Sequence, residues 1–131
     1  EVNNAAQSLD YHMDADLPSN LATNVAHFRE ITEDLVNIYE DKNKRYRNSF
    51  NKTLDKRGLV AALTRLDDKM HRLDYLVEQL ESPCNTSLEE NPADEKDKIL
   101  ASLIDTLKDS AIYLIMTLMW VTDYEVKRND N

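Results

Sequence analysis

The sequence predicts an all-α fold: a helical bundle of three long helices plus short ones, completed by oligomerisation. Three observations carry this. The 131 residues contain one glycine and three prolines, whereas tight β-hairpins want glycine at positive φ. Leu, Ala, Glu, Lys, Asp and Met fill much of the rest, and most of these are good helix formers. Apolar residues also recur at alternating spacings of three and four in separate segments, the period of a helix face.

Residues 1–18 are polar and aperiodic and read as an N-terminal arm. Residues 19–125 read as one domain, a length that can bury a substantial core. Pro18, Ser19 and Asn20 offer a cap before Leu21. Leu21, Val25, Phe28, Thr32, Leu35 and Tyr39 then form one face of a first helix that runs to about Tyr46. A basic segment follows, with a short helical turn ending at Gly58. Leu59, Leu63, Leu66, Met70, Leu73, Val77 and Leu80 alternate four, three, four, three without a miss. They predict a long amphipathic helix with a coiled-coil-like seam, able to pair with its copy in a second subunit. SPCNTSLEENPADEKD, 82–97, reads as a polar linker, and Asn91-Pro92 offers a start for a last helix over about 93–123. Residues 126–131 read as a polar tail.

Composition excludes several classes. One glycine rules out Gly-rich phosphate loops of Rossmann or Walker type. The longest apolar run, AIYLIMTLMWV, is too short to span a bilayer, so no membrane association is expected. No basic and apolar leader is visible at the N-terminus, and Cys84 stands alone. A reducing cytoplasm, of a bacterium or a phage-infected host, is the expected location. A net charge of −9 weighs against general nucleic-acid binding. The charge is uneven, however. Residues 42–57 hold seven cations against Asp55 alone, so this island carries +6 and the remainder −15. A basic island in an acidic chain could meet a small polyanion, although a solvated loop would look the same.

On a helical wheel the last helix has two stripes. Leu100, Leu103, Leu107, Ala111, Leu114, Leu118 and Val121 form one expected buried face. Ser102, Asp105, Asp109, Ile112, Met116 and Met119 form a second, roughly opposite. Asp105 and Asp109 lie one turn apart, where two carboxylates can converge on one ligand. Close anions repel, and a divalent cation with a preference for oxygen, such as Mg²⁺, would offset that. The plainer reading places both in water near a helix N-terminus, where negative charge is favourable. Glu30 and Glu33 form an E-x-x-E pair on the first helix, away from its apolar face. Acids on two helices for metal, with a basic connector for phosphate, would suit attack of water on phosphorus.

KNKRYRNSFNKTLDKRGLVAALTRLDDKMHRL, 42–73, followed by DTLKDSAIYLIM, 105–116, resembles the nucleotide-modification-associated domain of phages and bacteria. That family's pattern reads approximately K-N-x-D-Y-G-x-S-F, G-L-V, R-L-x-D-K-x-x-R-L and E-S-x-x-D-T-L-x-D-L-A-N-Y. The family is related to the all-α nucleoside triphosphate pyrophosphohydrolases of the MazG type. The resemblance covers roughly residues 28–120. It implies a MazG-like bundle and Mg²⁺-dependent cleavage of a nucleoside triphosphate to monophosphate and pyrophosphate. It places Lys42, Asn43, Tyr46, Ser49 and Phe50 in a nucleotide-facing loop, and Arg65, Asp68, Lys69 and Arg72 on the middle helix. It makes Asp105 and Asp109 the acids of the last helix, with Glu30 and Glu33 in the place of the E-x-x-E, so these four would be catalytic metal ligands. Among the departures from the pattern, Arg45 and Arg47 replace Asp and Gly, Ala101 replaces Glu, and Ile112 replaces Asn. The last two thin the expected metal shell.

The expected function is therefore nucleotide processing or nucleotide binding, by a dimer or larger homo-oligomer. The alternative is a non-catalytic, acidic helical interaction protein, such as a phage inhibitor of a host enzyme or defence system. An acidic helical surface can imitate a nucleic-acid backbone and block a basic groove on a host protein.

Overall fold

The computed structural model describes residues 17–82 and 92–129, and all four of its elements are helices. They are α1 (Leu17–Tyr46), α2 (Ser49–Arg57), α3 (Leu59–Glu81) and α4 (Pro92–Asn129). Most of the expected N-terminal arm and the centre of the expected linker lie outside the described residues. The fold class is as the spacing predicts. Two boundaries move. α1 starts at Leu17, ahead of the expected cap, with Pro18 in the first turn, where a missing N–H is harmless. α4 starts at Pro92 and runs to Asn129, so residues 92–97 and 126–129 are helical rather than linker and tail. Asp94 and Glu95 in its first turn complement the helix dipole.

The chain divides into two compact units, Glu1–Glu40 and Asp41–Asn131. In the first, Leu35 is buried and Tyr39 half-buried, while Leu21, Val25 and Phe28 of the expected apolar face are exposed.

In the second unit α3 and α4 pack as an antiparallel pair, with α2 against both. The contacts Lys69–Asp109 and Arg72–Thr106 set the register, later positions on α3 meeting earlier ones on α4. The line of α3 that faces this core is Ala62, Leu66, Lys69, Leu73, Leu76 and Leu80. It keeps the alternation of four and three but is turned from the seam expected at Leu59–Leu80, leaving Leu63 and Met70 exposed. On α4 the difference is larger. Thr106 and Ile112 are buried, with Ser102, Asp109, Tyr113 and Met116 half-buried, so the stripe carrying Asp109 faces α3. Of the stripe expected to be buried, Leu100, Leu107, Leu114 and Leu118 are exposed, and Leu103, Ala111 and Val121 half-buried. The reason is geometric: α3 and α2 lie on the Asp109 side, and the described second unit puts no helix on the other.

Four hydroxyls of α4 turn back onto their own helix. Thr106, Ser110, Thr117 and Thr122 donate to the carbonyls of Ser102, Thr106, Tyr113 and Leu118. Their donors are thus satisfied without outside partners.

Gly58 is the whole connection between α2 and α3. Its φ of 72° and ψ of −168° fall in a region open essentially to glycine alone, and its N–H caps α2 on the Leu54 carbonyl at 2.7 Å. No atom lies within 4 Å of where a Cβ would stand. The penalty for a side chain is therefore conformational, not steric. Gly58→Ala is expected to destabilise the fold by about 1–2 kcal/mol in urea unfolding.

Candidate functional site

Asp109 of the second unit pairs with two lysines. It lies on α4 facing α3, flanked by the buried Thr106 and Ile112. Its Oδ1 accepts a hydrogen bond from Lys42 Nζ at 2.9 Å, and its Oδ2 is paired with Lys69 Nζ at 2.5 Å. The two ammonium groups come from different helices, Lys42 from the last turns of α1 and Lys69 from the core line of α3. Asp109 and Lys69 keep 22% and 26% of their side-chain surface, against 44% for Lys42, so only Lys42 reaches well into solvent. Burial, the largest single influence on the Asp109 carboxyl, pushes its pKa up. Hydrogen bonds from Lys69 and Lys42, together with their charge, outweigh that and hold it below the ordinary aspartate value.

An aromatic pair adjoins the charges. Lys69 Nζ lies 5.7 Å from the centroid of the Tyr113 ring, one turn beyond Asp109. Phe50, at the start of α2, meets Tyr113 edge-to-face with centroids 4.9 Å apart. On the far side Arg72 Nε donates to Thr106 Oγ1 at 3.3 Å. Further along α4, Trp120 Nε1 donates to Asp55 Oδ1 at 2.9 Å and ties α2 to α4.

Of the residues singled out in the sequence, the structure thus brings Lys42, Phe50, Lys69 and Asp109 together, with Arg72 beside them. Others have different surroundings. Asn43 is a turn residue: its carbonyl accepts from the Arg47 N–H at 2.8 Å and its Oδ1 from the Asn48 N–H at 3.2 Å. That turn puts Arg47 and Asn48 at φ 52° and 59°. Arg47 therefore sits in a left-handed conformation that glycine adopts freely. Arg47→Gly is expected to raise stability by roughly 0.5–1 kcal/mol, read as a higher urea midpoint with an unchanged slope. Tyr46 and Ser49 are exposed. Arg65 and Asp68 line an open groove of about 590 Å³ between α2 and α3, with Thr53, Arg57, Val60, Ala61 and Thr64.

The expected acids fall on both units. Asp105 is exposed, one turn before Asp109. Glu30 and Glu33 are exposed on the first unit, where Glu30 meets His27 at 3.5 Å. Among the described residues no three His, Cys, Asp or Glu side chains come together, and both Asp109 oxygens already carry ammonium partners. These residues do not by themselves form the oxygen shell that Mg²⁺ takes. Tyr113 and Thr106 were missed as site residues. Among the described residues no helix is long and apolar enough to cross a membrane.

Comparison with protein-family models, curated proteins and solved structures finds no match to this chain.

Proposed function

We propose that this protein binds nucleotides, their phosphates held by Lys42 and Lys69 at the Asp109 cluster. The observation that supports this is the convergence itself. Lys42, Lys69 and Asp109 belong to three different helices, with Lys42 and Asp109 separated by 67 positions, yet they meet at one carboxylate, and Phe50 of the fourth helix packs on Tyr113 one turn along. Two ammonium groups on one carboxylate leave a local charge of +1, a suitable receptor for a phosphate chain. The Phe50–Tyr113 pair offers an apolar surface beside it. Phosphate oxygens would share the two ammonium groups with Asp109. Pyrophosphate release from a nucleoside triphosphate is the activity implied by the resemblance.

The test is thermal stability and calorimetry with each nucleotide, with and without Mg²⁺. Wild type is expected to gain several degrees, with affinity at least tenfold weaker in Lys69→Ala. No thermal shift with any nucleotide at millimolar concentration overturns the proposal. Pyrophosphate assays on wild type, Asp105→Asn and Asp109→Asn separate hydrolysis from binding.

A second reading, an acidic interaction protein, is favoured by the outer face of α3. Asp67, Asp74, Glu78 and Glu81 are exposed there beside Leu63 and Met70. Such a face suits a basic protein groove. Its test is capture from host lysate, and the required result is one stoichiometric partner lost on Asp67→Lys/Asp74→Lys.

A further inference from the structure

The groove between α2 and α3 begins where the Asp109 cluster ends. On α2, Phe50 of the cluster precedes Thr53 and Arg57 of the groove at spacings of three and four, along one side of the helix. On α3, Asp68 of the groove is the residue before Lys69. At about 590 Å³ the groove is in the size range of small-molecule sites. Its walls hold few groups that can choose a ligand. Val60, 72% exposed, and Ala61 offer apolar surface. The hydroxyls of Thr53 and Thr64 already donate to the Ser49 and Val60 carbonyls of their own helices. That leaves Arg57, Arg65 and Asp68, none of them in an ion pair among the described residues.

We infer, on the nucleotide binding proposed above, that this groove receives the base of the bound nucleotide and selects guanine. The groove adjoins both Phe50 and Lys69, so a nucleotide with its phosphates on the lysines has a recess for its base beside them. The pattern of donors and acceptors then chooses the base. A carboxylate only accepts hydrogen bonds, and an arginine fork only donates them. Guanine presents N1–H and the N2 amino group side by side, which suits a carboxylate, and O6 and N7 side by side, which suits an arginine. Adenine and cytosine set a ring acceptor beside their amino group, and an anion repels it. Uracil and thymine flank their one N–H with two carbonyls. Reading adenine calls for the mixed donor and acceptor of an amide, and no Asn or Gln lines the groove. Asp68 is the group for the N1 and N2 edge, and the arginine fork of Arg57 or Arg65 the group for O6 and N7.

Calorimetry on the full chain in Mg²⁺ tests this with GTP, ATP, CTP, UTP, inosine triphosphate (ITP) and xanthosine triphosphate (XTP). GTP is expected to bind roughly tenfold more tightly than ATP, CTP and UTP. ITP lacks the N2 amino group and is expected to bind roughly tenfold more weakly than GTP. Asp68→Asn is expected to bring GTP and ITP within about threefold of each other. The same variant is expected to prefer XTP to GTP, because an amide donates to the xanthine O2 that a carboxylate opposes. A preference for XTP is a gain and cannot come from a variant that fails to fold. Even without that variant, the ratio of GTP to ITP in wild type decides, and equal affinities overturn the inference. Equal affinity for every base, or preference for one other than guanine, with binding still weakened in Lys69→Ala, overturns the base assignment and leaves the phosphate site standing. A GTP preference that persists in Asp68→Asn overturns it as well. Absence of binding to every nucleotide removes both readings.

Discussion

Leu54→Ala is expected to destabilise the fold by about 2–5 kcal/mol, the largest effect of any single truncation in the second unit. Leu54 is fully buried, and it is the one buried side chain of the nine-residue α2. A helix that short does not hold itself together in water and depends on packing. Removing three carbons takes away the transfer energy of those atoms and leaves a cavity that α3 and α4, pinned by their own contacts, cannot close. The loss reaches the site, because α2 also positions Phe50 against Tyr113 and Asp55 against Trp120. Urea unfolding followed by Trp120 fluorescence measures both. The expected result is a lower midpoint and, in the folded state, a changed Trp120 emission. A change below 1 kcal/mol would mean that α2 is not docked through Leu54.

The second large effect is at Asp109. Asp109→Ala is expected to cost about 2–3 kcal/mol at pH 7. Breaking a buried ion pair costs more, about 3–5 kcal/mol, and the partial exposure of Lys42 and Lys69 reduces it here. The reason is the pair of ammonium groups left facing each other without their anion. If so, Lys69→Met in the Asp109→Ala background recovers part of the loss, and the two changes are not additive. The pH dependence has a fixed sign. The folded carboxyl titrates below its unfolded value, which is about 3.9. The stabilisation from Asp109 is therefore fully present above about pH 4 and is lost as pH falls through the folded value. The stability difference between wild type and Asp109→Ala should be flat from pH 5 to 8 and should shrink only in acid. A difference that vanishes near neutrality would point to another group.

The helices themselves were legible in the sequence because each carries its own period. α3 is the clearest case, its ends at Leu59 and Glu81 following from the Gly58 break and the last seam residue. The rotation of each helix about its axis was less legible. A seven-residue repeat identifies a face but not what covers it. On α3 the core line is one position away from the repeat, and on α4 the more apolar face is the exposed one. For the same reason the sequence singled out Asp109, Lys42 and Lys69 without setting the two lysines on that carboxylate. An acid on a half-buried stripe requires a cation, and spacing alone does not distinguish a metal ion from two lysines contributed by distant segments. Tyr113 was overlooked because an aromatic residue inside an apolar run looks like core. Its neighbour Lys69 marks it out, and that proximity exists only after folding.

Gly58 has one further effect. A one-residue joint fixes the angular phase of α3 relative to α2, since no slack exists to absorb a twist. Each residue added there would turn α3 by about 100° about its own axis and swing Lys69 off Asp109, even if every helix kept its length. Length variation at that joint is therefore incompatible with the cluster, and the joint, which contributes no side chain to the cluster, sets the alignment of the site.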